Sequence, residues 1–191
     1  MKAENNSMGR LGGILFAITL IAALLLGAVN AVTAPIIEQV EAEKQNAALQ
    51  AIFPDGVDFP AIEVAAEEAL PNGDDAQVTA AFQAKDASGN VVGVAVQVAP
   101  KGFGGAISMM VGINADGTVA KAQVLSMSET PGLGVKAKEA KFIDQYNGKS
   151  GTIAVDKDGG EIVAITGATI TSRAVTRGVN AAAAFAANHM G

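Results

Sequence analysis

Residues 92–98 read Val92-Gly93-Val94-Ala95-Val96-Gln97-Val98. Valine at every second position is the two-residue period of a β-strand, with stiff β-branched side chains gathered on one face. On the N-terminal side, Ser88-Gly89-Asn90 supplies a turn and Gln77 to Ala84 alternates again, with Val78, Ala80 and Phe82 on one side. The two runs predict a hairpin. On the C-terminal side, the link Lys101-Gly102-Phe103-Gly104-Gly105 leads to Ile107, Met109, Val111 and Ile113. The turn Asn114-Ala115-Asp116-Gly117 then leads to Thr118–Ser126. Four such strands in succession predict an antiparallel sheet with one buried face.

Helical patterns follow the strands. Ser128-Glu129-Thr130-Pro131-Gly132-Leu133-Gly134 is a turn-rich loop ahead of a helix expected from about Val135 to Tyr146. Near the C-terminus an apolar segment, Ile162 to Ile165, enters Thr166-Gly167-Ala168-Thr169-Ile170-Thr171-Ser172. A helical face of Ala174, Val175, Val179, Ala182 and Phe185 comes next. The fold class is therefore α+β, an antiparallel-rich sheet with packed helices. The start of that last helix has two readings. Its hydroxyls are ordinary helix caps; alternatively, the free N–H groups and positive dipole end where strand meets helix hold a phosphate, to which a threonine can also be esterified.

The other end of the chain has a different character. Leu11 to Val32 holds no charged residue, and about 22 residues of helix span about 30 Å, the thickness of a bilayer core. This reads as a single transmembrane helix and not a signal peptide, whose apolar core is usually about 7–15 residues long. Lys2 and Arg10 precede it and Glu38, Glu41 and Glu43 follow. That asymmetry places the N-terminus in the cytoplasm and the main domain outside, at an inner (cytoplasmic) membrane. Pro35 is expected to break the helix, with a second helical pattern from Ile36 to Phe53. Pro54 to Asp75 reads as an irregular connection with a short helix near Ala61 to Leu70. The expected organisation is 1–10 cytoplasmic, 11–32 transmembrane, 33–75 stalk helix and connection, and 76–188 the outward domain.

Composition removes several functions. With no cysteine, the chain has no disulfide, thiolate metal site or iron–sulfur cluster. A net charge of −6 and one histidine argue against nucleic-acid binding and against a histidine-rich metal centre. Asp74-Asp75 and Asp156-Lys157-Asp158 read as solvated turns, His189 as a surface residue of a frayed tail, and Arg173 and Arg177 as a charged stripe or as partners for a nearby anion. No Ser-His-Asp arrangement is present, so no catalytic side chain and no metal ligand is assigned.

Three stretches together resemble one family. Thr166-Gly167-Ala168-Thr169 is similar to the [Ser/Thr]-Gly-Ala-Thr motif of the FMN-binding domain family, and Glu129-Thr130-Pro131-Gly132-Leu133-Gly134 resembles its second signature. Gly102-Phe103-Gly104-Gly105 is similar to its glycine-aromatic-glycine-glycine loop. The family usually has an aspartate three residues before the opening hydroxyl, and Val163 stands there in this chain. With the apolar helix ending in Thr33-Ala34-Pro35-Ile36, the whole layout resembles the RnfG proteins of Rnf-type electron-transport complexes. The NqrC proteins of the sodium-pumping NADH:quinone oxidoreductases are near relatives.

The resemblance implies FMN joined by a phosphoester to Thr169, placed there by a separate flavin transferase. Thr166, Gly167 and Ala168 complete the motif, and Thr171 and Ser172 would donate to the phosphate. Glu129, Thr130, Gly132, Leu133, Gly102 and Phe103 would contact the flavin. It further implies an electron-transfer subunit, not catalytic alone, of a ferredoxin:NAD+ oxidoreductase that moves Na+ or H+, with the other membrane and peripheral subunits as partners. Three alternatives stay open: an NqrC-like subunit of a sodium-pumping NADH:quinone oxidoreductase, FMN bound without a covalent link because of Val163, and a flavin-free extracytoplasmic interaction domain.

Overall fold

The computed structural model describes residues 3–70 and 76–190, and the chain divides into two compact units, 1–43 and 44–191. The first unit is helical. Helix α1 runs over Ala3–Ile52 with Pro35 inside it, so the expected break at Pro35 does not occur. One proline removes a single N–H from the ladder, and strong helix formers on both sides continue past it. Leu11, Phe16, Ile21, Leu25 and Leu26 all stand more than half exposed. Among the described residues this is the one helix long and apolar enough to cross a membrane.

The second unit contains a five-stranded antiparallel sheet in which each strand pairs with its chain neighbour: β1 (Ala61–Ile62), β2 (Ala76–Lys85), β3 (Val91–Pro100), β4 (Ser108–Asn114) and β5 (Val119–Ser126). The short helix expected near Ala61 to Leu70 is absent. Ala61 and Ile62 instead pair with Phe82 and Ala81 and cover the edge of β2, whose open N–H and C=O groups outweigh a weak helical preference. The last part of the expected connection, 71–75, lies outside the described residues.

Both faces of the sheet are buried, not one. Val78, Ala81, Val94, Val96, Val98, Met109, Val111 and Ile113 pack with Ala174, Val175, Val179, Ala182 and Phe185 of helix α3 (Thr169–Ala187). On the opposite face Ala84, Ala95 and Met110 meet Ala48, Leu49, Ile52 and Phe53. Two strand glycines make this second contact. A Cβ on Gly112 would run into Ile52, and one on Gly93 would meet Phe53 and the Ile113 carbonyl. An irregularity between Val78 and Ala80 turns Phe82 away from Val78, contrary to the expectation that they share a face.

The helix expected from Val135 to Tyr146 is three short pieces: a 3₁₀ turn at Gly134–Lys138, helix α2 at Ala140–Ile143, and a second 3₁₀ turn at Asp144–Tyr146. Glu139 is extended (φ −74°, ψ 140°) and interrupts the run. Ile162 to Ile165 forms no strand; Ile162 makes an isolated parallel bridge to Val155. The C-terminal end is packed and not frayed: His189 stacks on Phe185 with ring centroids 4.4 Å apart, and its Nε2 lies 3.3 Å from Glu68 Oε1.

Candidate functional site

Two glycine turns of the same construction meet at the start of α3. In the first, Leu133 N–H donates to the Thr130 carbonyl (3.1 Å), with Pro131 and Gly132 between them and Gly132 at φ +77°. In the second, Ala168 N–H donates to the Ile165 carbonyl (2.9 Å) across Thr166 and Gly167, with Gly167 at φ +79°. Proline at the second position and glycine with positive φ at the third suit such turns. The turns touch, since a Cβ on Gly167 would lie 3.1 Å from Leu133 Cδ2.

A third loop is tied to them by Glu129, which is only 7% exposed. Its Oε1 accepts from the N–H groups of Phe103 (2.8 Å) and Gly104 (3.2 Å), and its Oε2 accepts from Thr171 Oγ1 (2.8 Å). Glycine is required around this carboxylate: a Cβ on Gly102 or Gly134 would overlap it, and one on Gly104 would overlap the Ser128 carbonyl. Gly102, Gly104 and Gly134 therefore make room for Glu129 and the backbone beside it, and Phe103 is the residue of the glycine loop that lines the cavity described next.

Between the loops lies a cavity of about 370 Å³ lined by Phe103, Glu129, Thr130, Leu133, Gly134, Gly167, Ala168, Thr169, Ile170 and Thr171. That size lies in the range of small-molecule sites. The three stretches singled out in the sequence thus converge on one cavity. Phe103 is 68% exposed and Ile170 51%, and these apolar surfaces suit a flat aromatic ligand. Thr169 is half-buried as the first residue of α3, preceded by Ala168, which offers no side-chain cap. Ser172 donates its N–H to the Ala168 carbonyl. The N–H groups of Thr169, Ile170 and Thr171 have no acceptor among the described residues, as expected for the first turn of a helix. These features fit a phosphate-bearing aromatic cofactor.

Two expectations change at atomic level. Thr171 is 1% exposed with its hydroxyl hydrogen committed to Glu129. Ser172 is fully buried; its Oγ donates to the Ala168 carbonyl (3.0 Å) and accepts from Ile165 N–H (3.0 Å). Neither hydroxyl has a hydrogen left for a phosphate. Arg173 is likewise engaged elsewhere, donating through Nε (2.7 Å) and Nη2 (2.5 Å) to Asp158. This contact raises the Arg173 guanidinium and holds the Asp158 carboxyl below the ordinary carboxylate range. Arg177 donates to the Lys101 carbonyl (3.1 Å). Asp156 is not merely solvated, since it accepts from Ala164 N–H (3.1 Å), a contact that lowers its pKa. Gln145 and Asp156 meet the backbone of Val163 and Ala164 from 18 and 8 residues away, a role for either residue that no motif spacing marks.

Comparison with known proteins assigns this chain to a family. Residues 102–184 match the FMN-binding domain family, and residues 1–52 match the RnfG N-terminal region. The chain is 37% identical over 185 residues to the G component of the Na+-translocating ferredoxin:NAD+ oxidoreductase complex of Acetobacterium woodii, covering 90% of this chain and 87% of that one. It is 32% identical over 166 residues to the G component of the proton-translocating ferredoxin:NAD+ oxidoreductase complex of Clostridium ljungdahlii, covering 85% and 82%. Among solved structures, NqrC of Shewanella oneidensis aligns with a TM-score of 0.49 at 21% identity over 72% of each chain. The chain belongs to the RnfG family, a component of ion-translocating ferredoxin:NAD+ oxidoreductase complexes, and it contains the FMN-binding domain of that family.

Proposed function

We propose that this chain is a membrane-anchored electron-transfer subunit that carries FMN in phosphoester linkage to Thr169. The observation behind this reading is the position of Thr169: first residue of α3, lining the 370 Å³ cavity, beside three N–H groups without acceptors among the described residues. In the attachment step, Thr169 Oγ bonds to the FMN phosphorus of FAD held by a flavin transferase. The bond from that phosphorus to AMP breaks, AMP departs, and the hydroxyl proton passes to a base on the transferase. Thr169, as the first residue of α3, would hold the ester phosphate in the field of the helix N-terminus. Phe103, Leu133 and Ile170 offer apolar surface to the ring, while Gly102, Thr130 and Gly132 shape the loops around it. FMN supplies one- and two-electron redox chemistry; the protein fixes its place and surroundings.

The charge asymmetry about the apolar helix puts the domain on the extracytoplasmic side. An ester link suits that location, because a dissociable cofactor would be lost where free flavin is scarce. Residues 76–188 form the cofactor domain in this reading, the apolar helix is the anchor, and the other subunits of the complex are its electron-transfer partners, coupled to Na+ or H+ movement. The decisive experiment is intact-mass measurement of protein made with a flavin transferase, alongside Thr169→Ala. Wild type should gain one FMN unit and keep its fluorescence after denaturation; the variant should not. Val163, where the family has aspartate, favours one competing reading, non-covalent FMN, in which denaturation releases the flavin from an unmodified chain.

A further inference from the structure

Residues 162–165, which lead into the Thr166–Thr169 turn, are held in an unusual way. Ile162 N–H donates to the Ala154 carbonyl (3.2 Å). The next three N–H groups all donate to side chains: Val163 to Gln145 Oε1 (2.8 Å), Ala164 to Asp156 Oδ1 (3.1 Å) and Ile165 to Ser172 Oγ (3.0 Å). Gln145 also donates through Nε2 to the Val163 carbonyl (3.3 Å), so one amide pairs both backbone groups of Val163 as a neighbouring strand would. The stretch is nevertheless open in part: Ile162 is buried and Ala164 and Ile165 are half-buried, but Val163 is 62% exposed, and Thr166 and Gly167 are exposed. A plain connector in that position would be hydrated by water and mobile. This one is ordered and accessible together, the combination needed by a peptide that another enzyme must grip.

We propose that Gln145 and Asp156 are positioning residues for cofactor attachment: they hold the acceptor loop in the conformation that the flavin transferase engages, and so set how efficiently Thr169 is esterified. The inference rests on the attachment reading given above and adds no chemistry to it. Thr169 Oγ still gains the phosphorus, AMP still leaves, and Gln145 and Asp156 meet the loop only through its backbone N–H and C=O groups. Freeing the loop would lower the fraction of chains in the competent conformation, which raises the apparent KM for the acceptor protein and leaves kcat nearly unchanged.

The test is a time course of FMN incorporation into the full-length protein with FAD and purified transferase, read by intact mass. Wild type is compared with Gln145→Ala, Asp156→Ala and Asp156→Asn, which keeps an acceptor oxygen. Asp158→Ala, which breaks the Arg173 pair without touching the loop, serves as control. The expected result is a rise of about fivefold in acceptor KM for Asp156→Ala, the scale of one lost hydrogen bond, and a larger rise for Gln145→Ala, which loses two, with Asp156→Asn near wild type and Asp158→Ala unchanged. Hydrogen exchange on the same proteins should show faster exchange at 163–165 in the alanine variants alone. Wild-type kinetics or unaltered exchange in both alanine variants overturns the inference, and so does equal slowing by Asp158→Ala. A wild-type chain that gains no mass overturns the attachment reading itself, and the inference with it.

Discussion

The Thr171 hydroxyl donates to Glu129 Oε2 at 2.8 Å, joining the first turn of α3 to a loop 42 residues earlier in the chain. Glu129 also holds the glycine loop through Phe103 and Gly104. One buried carboxylate therefore fixes the mutual placement of all three stretches that line the cavity. Glu129→Ala should destabilise the domain by about 2 kcal/mol, because several donors lose their acceptor at once. Thr171→Val removes a single donor and should cost about 1 kcal/mol. Urea unfolding of both variants measures the difference, and equal effects would contradict the shared-anchor role.

Gly112→Ala should be more damaging than a typical strand glycine substitution. The added methyl would strike Ile52 Cγ2 and press on the Phe53 ring. The expected loss is about 1–3 kcal/mol from overpacking, seen as a lower thermal midpoint. Shortening Ile52 to alanine in the same chain should recover part of that loss, a non-additive pair in a double-mutant cycle.

Tyr146→Phe isolates one buried hydrogen bond. The Tyr146 hydroxyl lies 2.8 Å from Thr176 Oγ1, which itself donates to the Ser172 carbonyl at 2.9 Å, so the tyrosine is the donor of the pair. Burial pushes the phenol well above its ordinary value, so it stays protonated at neutral and moderately alkaline pH. Removing the hydroxyl should cost about 1 kcal/mol while the ring keeps its packing against Phe142. Chemical denaturation gives the value directly.

Acid should unfold the domain through a defined set of carboxyls. Asp86 and Asp116 are held below the usual value of 3.8 chiefly by the side chains of Asn90 and Thr118, Asp156 by Ala164 N–H, and Asp158 by Arg173. Glu161 is held below 4.5 by Lys149. A depressed folded pKa gives stability that is complete above the unfolded value and is lost as pH falls through the folded one. The thermal midpoint should therefore change little on this account between pH 7 and about 5 and decline below about 4. Asp158→Asn should show a shallower decline. Asp116, Asp156, Asp158 and Glu161 are exposed and Asp86 is half-buried, so high salt should reduce the effect.

How much of this was legible in the sequence varies with the range of the interaction. The alternation of Val94, Val96 and Val98 placed β3 and its core face directly, because neighbouring residues set a strand's period. The irregularity after Val78 was invisible, since one extra residue changes the phase and depends on the partner strand. Nothing in the sequence marks Gly93 and Gly112 as contact positions, and the helix end packed against them explains their lack of side chains. At the site, the three motifs and Thr169 stood out as strings. The direction of the Thr171 and Ser172 hydroxyls did not, because Glu129 and the Ile165 amide reach them only after folding.

Strand order follows chain order throughout the sheet, so each hairpin can close as soon as its second half emerges. Helix α3, which presents Thr169, comes after all of them. Under the proposed attachment, a polypeptide interrupted before α3 would have no landing place for the prosthetic group. Loading would then mark a chain whose five strands had already been made, an ordering that arises from topology alone.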